Sequence, residues 1–221
     1  MPPESLKARK ARTKKIVARL RKAFPDADCA LEHSSALELL VATILAAQCT
    51  DARVNIITRD LFSTYRTPDD YAKADPKAFE KEIQSAGFYR QKTQSILGAC
   101  RAIVEQHDGE VPDTMEELTE LPGVARKTAN VVLGTWFGKN EGIVVDTHVG
   151  RVTMRLKLAP AAKDSKDAVK IERALMELVA RKDWTWFGHA MTHHGRGPCT
   201  ARKPHCPDCP LNALCPSAGK V

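Results

Sequence analysis

The feature that most narrows the folds open to this chain is its last stretch. Four of its seven cysteines, Cys199, Cys206, Cys209 and Cys215, fall there in the spacing C-x6-C-x2-C-x5-C. Proline recurs between them, at Pro204, Pro207 and Pro210, so the segment needs something other than a core to hold it. The odd cysteine total, with no secretory segment, argues against a disulfide framework and points to a reducing compartment. Four thiolates in one compact loop satisfy a tetrahedral ion or a cubane cluster. A common zinc pattern carries two C-x2-C knuckles, whereas here one knuckle has a lone cysteine on each side. The spacing leans away from a zinc ribbon without excluding it. The loop from Thr200 to His205, pinned at both ends, would present Arg202 and Lys203 outward, as a contact to phosphate requires. Cys29, Cys49 and Cys100 are scattered and read as buried thiols.

The rest of the pattern is helical almost throughout. Ile16, Leu20 and Phe24 follow at helical spacing behind Lys7, Arg9, Lys10, Arg12, Lys14 and Lys15, predicting an amphipathic helix with a solvated basic face. The apolar run from Ala36 to Ala47 is too short to span a bilayer and reads as a buried core helix. Thr114 and Glu117 form a capping-box pattern opening a short helix to Leu121, and Ser165 is a candidate cap for the helix carrying Val169, Ile171, Leu175 and Leu178. Strand signals are nearly absent, since Ile143-Val144-Val145 is too short to found a sheet. Aromatics make up only 5%, so the core rests on Leu, Val, Ile and Ala, with Trp136, Trp184 and Trp186 expected inside it. Gly138 to Gly142 is a candidate domain junction. A net charge of +7 suits a polyanionic partner.

Two further segments carry chemistry. In Leu121-Pro122-Gly123-Val124-Ala125-Arg126-Lys127-Thr128-Ala129, a helix ends, the chain turns and a second helix begins. The first turn of that second helix exposes backbone N–H groups to an anion such as a DNA phosphate. Lys127 lies in this turn beside Arg126. An amine there, once neutral, is a competent nucleophile for carbon. In Val144-Val145-Asp146-Thr147-His148, an apolar run ends on an acid that can cap the following helix and can also hold or deprotonate a nearby amine or water. His148 is expected to make a structural hydrogen bond.

These three elements, in this order, resemble the endonuclease III family of helix–hairpin–helix glycosylases. The resemblance runs from about Leu20 to Cys215. It implies an all-α, two-domain helix–hairpin–helix glycosylase fold: a six-helix barrel domain over residues 29–139, and an iron–sulfur cluster domain over 1–28 and 140–221. It implies that Lys127 and Asp146 are the catalytic pair, facing each other across a DNA-binding cleft, and that Cys199, Cys206, Cys209 and Cys215 hold a [4Fe-4S] cluster. Gln48, in Ala47-Gln48-Cys49-Thr50-Asp51, resembles the glutamine that fills the gap left by an extruded base. Phe88, after Gly87, stands at the intercalating wedge. Pro122, Gly123, Val124, Ala125 and Arg126 would contact DNA at the hairpin, and Arg202 and Lys203 at the cysteine loop.

The implied enzyme is a monomeric, cytoplasmic DNA glycosylase and abasic-site lyase, nucleoid-associated if the source is bacterial. It removes oxidised pyrimidines from duplex DNA through a lysine Schiff base and cleaves the strand 3′ to the abasic site by β-elimination. The sequence departs from the family pattern in three places. Ala125 replaces a frequent second hairpin glycine, so no glycine-only dihedral is expected there. Phe88 replaces a common leucine, and Gly197-Pro198 precedes the first cluster cysteine. Two other readings are weighed against this one. A monofunctional mismatch glycosylase would lack Lys127 and often carries an extra C-terminal domain, which a sequence stopping soon after Cys215 is not expected to have. A non-catalytic DNA-binding module would need neither Lys127 nor Asp146.

Overall fold

The computed structural model describes residues 4–220. Among these residues the regular structure is helical and contains no strand. The chain forms two compact units. Cys29–Glu141 make one; the residues up to Asp28 and from Gly142 onward make the other.

The 29–141 unit holds α2 (Ala36–Leu45), α3 (Asp51–Thr64), α4 (Pro68–Ala72), α5 (Pro76–Glu82), α6 (Tyr89–Gln106), α7 (Met115–Glu120) and α8 (Arg126–Thr135). The expected core helix is α2. Ser35 caps it by accepting from the Glu38 amide at 3.1 Å, and seven of its ten residues are buried. It packs on α3, α6 and α8. Such an all-round apolar helix belongs in the middle of a domain. The shorter helices announce themselves by their caps. Thr67 forms a full capping box on α4, and Asp75 caps α5, each followed by a proline at the first helical position. Thr114 caps α7 through the Glu117 amide at 3.3 Å, while its hydroxyl donates to the Glu117 carboxylate at 2.6 Å. Helix α6 lays Thr93, Ile96, Leu97, Cys100 and Ile103 into the core. Burial pushes the Cys100 thiol up to about 12. Cys29 and Cys49, expected to be buried, are only partly covered.

The second unit is built from α1 (Leu6–Ala23), α9 (Thr147–Arg155), α10 (Ala168–Leu178) and α11 (Trp184–Arg196). Ile16 and Leu20 of α1 are fully buried and Lys7, Lys10, Lys14 and Lys15 stay in water, as the helical spacing predicts. Arg9 and Arg12, expected on the same solvated face, are only partly exposed, Arg12 donating to the Leu156 carbonyl at 2.9 Å. Ile16 and Leu20 join Ile143, Val149, Val152, Ile171, Leu175, Phe187 and Met191 in one core. The cysteine tail is not outside this core: Leu211 is buried in it, and Leu214, Cys199, Cys209 and Cys215 pack against it.

Two further expectations fail. Ser165 does not cap α10, which starts later at Asp167 and has no side-chain cap. The Ser165 backbone instead lies against α9, so close that a β-carbon on Gly150 would sit 2.2 Å from the Ser165 carbonyl oxygen. Trp136 is not core. It is 43% exposed at the end of α8, edge-on to His33. Trp184 is buried, its indole N–H donating to the Val179 carbonyl at 3.0 Å. Trp186 is half-buried under the Arg21 guanidinium.

Candidate active site and cysteine centre

The hairpin is a short turn between α7 and α8. The Val124 amide donates to the Leu121 carbonyl at 3.1 Å, and Gly123 at the third position has φ +75°. Proline second and a positive-φ glycine third is the pattern of a type II turn. Two constraints make this glycine irreplaceable. An L-residue would be strained by its dihedral, and a β-carbon would lie 2.3 Å from the β-carbon of Ser95 on α6. Gly123→Ala should therefore cost about 2 kcal/mol or more, through strain plus overpacking. The melting temperature should fall by roughly 5 °C, with weaker binding to duplex DNA. Unchanged melting and binding would show that the turn has slack the geometry denies it. Ala125 has φ −90° and ψ 165°, an extended conformation open to any residue, as its side chain led one to expect.

Ala125 is the N-cap of α8 and has no side chain to offer the first-turn amides. The amides of Lys127 and Thr128 belong to the set of donors that every helix start turns outward. Pro122, Gly123, Ala125, Arg126 and Lys127 are exposed, while Val124 is buried and anchors the turn. Lys127 thus stands in water at the electropositive end of a helix whose other face, Ala129, Val132 and Leu133, is fixed in the core.

Asp146 caps α9. Its Oδ1 accepts from the His148 amide at 2.8 Å and the Val149 amide at 2.7 Å. Its Oδ2 is set by Thr192 of α11, whose hydroxyl lies 3.1 Å away and equally far from the Gly188 carbonyl. The carboxylate is half-buried and held at both oxygens. His148 plays the structural part expected of it, its Nδ1 facing an Arg151 guanidinium nitrogen at 3.2 Å. His189, on the same helix as Thr192, is held toward its neutral form by burial, with Asp28 and Asp146 opposing that effect.

Gln48 and Phe88 share an uncommon backbone. Both are non-glycine residues in the left-handed region, at φ 54° and 46°. Phe88 is 63% exposed and opens α6 directly after Gly87, which also has positive φ. Strained dihedrals at exposed, protruding residues are a mark of functional loops. Residue identity gave no warning of them.

The four cysteines line one pocket, with Val152, Arg155, Leu156 and Leu211 in its wall. Four soft thiol donors lining one pocket are the ligand set that an iron–sulfur cluster takes. Amide and guanidinium donors already point at the sulfurs: Arg155 at 3.2 Å from Cys199 Sγ and the Leu211 amide at 3.4 Å from Cys209 Sγ. Burial pushes the Cys209 and Cys215 thiols up, so loading a cluster must displace their protons.

The loop adds bonds from outside to the short-range turn bonds of its own. Arg155 donates to the carbonyls of Thr200 at 2.7 Å and Ala201 at 2.9 Å. Arg151 donates to that of Cys199 at 3.2 Å, and Arg12 to that of Leu214 at 3.2 Å. Arg202 and Lys203 stand exposed on a loop closed by the Thr200 hydroxyl, which donates to the Lys203 carbonyl.

Comparison with known proteins decides the family. Residues 41–181 match the HhH-GPD superfamily of base excision DNA repair proteins, and residues 199–215 match the iron–sulfur binding domain of endonuclease III. An endonuclease III from Synechocystis sp. is 50% identical over 96% of this chain and 94% of its own length. The endonuclease III of Escherichia coli (strain K12) is 40% identical over 96% and 98%. The chain belongs to the endonuclease III family. A solved endonuclease III, in a trapped covalent intermediate with DNA, is 42% identical over 95% of this chain and 96% of that one, with a TM-score of 0.88. The architecture is therefore the all-α helix–hairpin–helix glycosylase fold, and the family's cofactor at the four cysteines is a [4Fe-4S] cluster. No helix of the described residues is long and apolar enough to cross a membrane.

Sequence reasoning missed Thr192, Arg151 and Arg155, which act on residues more than forty positions away. It also missed Lys92, although a signal existed. Lys92 lies on the apolar stripe of α6, four residues before Ile96, where a solvated lysine is out of place.

Proposed function

We propose that Lys127 is the nucleophile and Asp146 the assisting carboxylate of a bifunctional DNA glycosylase and abasic-site lyase of base excision repair. Its substrate is duplex DNA carrying an oxidised pyrimidine. The observation that carries this reading is Lys127 itself, exposed in the first turn of α8 directly after the Pro122-Gly123 turn, where no side chain caps the helix. The turn and the first-turn amides of Lys127 and Thr128 hold a phosphate, which positions the strand without reading bases. The neutral Lys127 amine attacks C1′ of the extruded nucleotide, and the bond to the base breaks with its electron pair leaving on the base. Ring opening turns the adduct into a Schiff base. Loss of a C2′ proton then expels the 3′ phosphate, which cuts the strand. Asp146 supplies negative charge and a proton acceptor for these steps.

On this reading, Gln48 and Phe88 occupy the space vacated in the base stack. Pro122, Gly123, Val124, Ala125, Arg126, Arg202 and Lys203 hold the backbone. The 29–141 unit corresponds to the barrel domain and the remainder to the cluster domain. When bound, the [4Fe-4S] cluster fixes the fold of the cysteine loop, and Cys199, Cys206, Cys209 and Cys215 are its ligands. The enzyme would act on the chromosome in the cytoplasm.

Two measurements test the reading. Duplexes each carrying one damaged base should release oxidised pyrimidines and be cut 3′ to the site; base release with an uncut strand would favour a monofunctional enzyme. Asp146→Asn isolates the charge. The amide oxygen still accepts from the His148 and Val149 amides, and Thr192 can turn its proton to Gly188 while accepting from the new NH2 group. Stability should change by less than about 1 kcal/mol, while single-turnover base release falls by about 10²–10⁴-fold. Activity within twofold of the parent across pH 6 to 8 would leave Asp146 only a cap.

A further inference from the structure

Lys92 lies in the first turn of α6 and is 5% exposed. Its ammonium donates to the Leu45 carbonyl at 2.7 Å and to the Ala86 carbonyl at 3.0 Å. Its own backbone N–H donates to the Phe88 carbonyl at 3.0 Å. Leu45 is the last residue of α2, separated from Gln48 by Ala46 and Ala47. Beyond it the helical pattern is lost, and the Cys49 amide donates to Ala46 rather than to Leu45. A cation is well placed at that electronegative helix end. Ala86 closes the 3-10 turn Gln84–Ala86, just before Gly87 and Phe88. One side chain therefore bonds the chain shortly ahead of Gln48 and of Phe88, two of the non-glycine residues with positive φ.

The arrangement is costly to keep. Burial pulls the Lys92 amine below its ordinary range, with Cys49 opposing. An apolar residue would fit the stripe without that cost, but it would leave two buried carbonyls without their donor. Something must also hold two strained loops that, on their own, would relax to ordinary dihedrals. A wedge that yields cannot unstack a base pair, so rigidity here bears directly on extrusion.

We propose that Lys92 is a positioning residue for base extrusion: its ammonium ties the loop bearing Gln48 to the loop bearing Phe88, so that the two enter the base stack as one rigid unit. This rests on the reading of Gln48 and Phe88 as the inserting residues. Lys92 touches neither substrate nor cluster, and its effect runs only through those loops.

The test uses the full-length, cluster-loaded enzyme. Lys92→Met keeps length and packing but removes the donors. Two rates are compared: excision of an oxidised pyrimidine from a duplex, which needs extrusion, and cleavage at an abasic site in an unpaired strand, which does not. Fluorescence of a 2-aminopurine beside the lesion reports extrusion directly. Lys92→Met should lower the duplex-to-single-strand rate ratio by about 10- to 100-fold and slow the fluorescence change to match. The Gln48→Ala/Phe88→Ala pair should lower the same ratio. Adding Lys92→Met to that pair should lower it by less than about twofold further, because residues acting as a unit are not additive. If Lys92→Met slows both substrates equally, or its effect multiplies fully with the pair, the lysine is merely structural and the proposal fails. If the pair alone leaves the ratio unchanged, the insertion reading itself is wrong and takes this proposal with it. Should Lys92→Met not fold, Lys92→Gln, which keeps a shorter donor, is put through the same comparison with the same criteria.

Discussion

Lys127→Ala should abolish strand cleavage, lowering it by at least about 10³-fold, the order expected when a nucleophile is removed. Binding to a lesion duplex should change by no more than about threefold, since the substitution takes away a single exposed cation. The basis is geometric. The side chain projects into water from the second position of α8, and the helix behind it is fixed by Ala129, Val132 and Leu133. Removing the amine leaves the Gly123 turn, the first-turn amides and the core untouched, so melting should be unchanged. A large fall in binding together with activity would place Lys127 among the phosphate contacts rather than at the reacting carbon.

Cys209→Ser should be the most damaging single substitution for the fold. Without the cluster, the tail keeps Leu211 in the core, Leu214 against it, short-range turn bonds and the carbonyl bonds from Arg151, Arg155 and Arg12. Binding of a metal centre to a thiolate loop is folding free energy, on the order of 10 kcal/mol for comparable small sites. That is as large as the whole stability of a typical domain. The variant should be colourless, poorly soluble and free of iron and sulfide. The damage should also reach the chemistry, because α9 carries Asp146 at its start and, further along, Arg151 and Arg155, which grip the cysteine loop. One zinc and no iron in the native protein, or a Cys209→Ser variant as stable as the parent, would contradict the assignment.

What the sequence disclosed and what it hid divide along contact distance. The hairpin, the Asp146 cap and the cysteine spacing are each written within a few neighbouring residues, so residue chemistry alone locates them. The core helix α2 was legible because its residues are apolar on nearly every side, interrupted only by Glu38 and Thr43. Thr192 on Asp146, Lys92 on Leu45 and Arg155 on the Cys199 loop join positions far apart in the chain, and no local pattern ties the partners together. Trp136 misled because an aromatic near a helix end reads as core until the neighbours are known, and here His33 meets it edge-on at an exposed position. Ser165 misled because a cap residue is recognised by type, whereas its actual place was decided by close packing against Gly150. The left-handed dihedrals at Gln48 and Phe88 carry no signal in residues that ordinarily avoid them.

The central claim is that one amine, on Lys127, forms the covalent bond to the sugar. Incubating the enzyme with an abasic-site duplex in borohydride should reduce the Schiff base and leave a stable protein–DNA adduct. Digestion and mass spectrometry of that adduct should locate the modification on Lys127, and Lys127→Ala should give no adduct. An adduct mapped to any other amine, or one that persists undiminished in Lys127→Ala, would contradict the account.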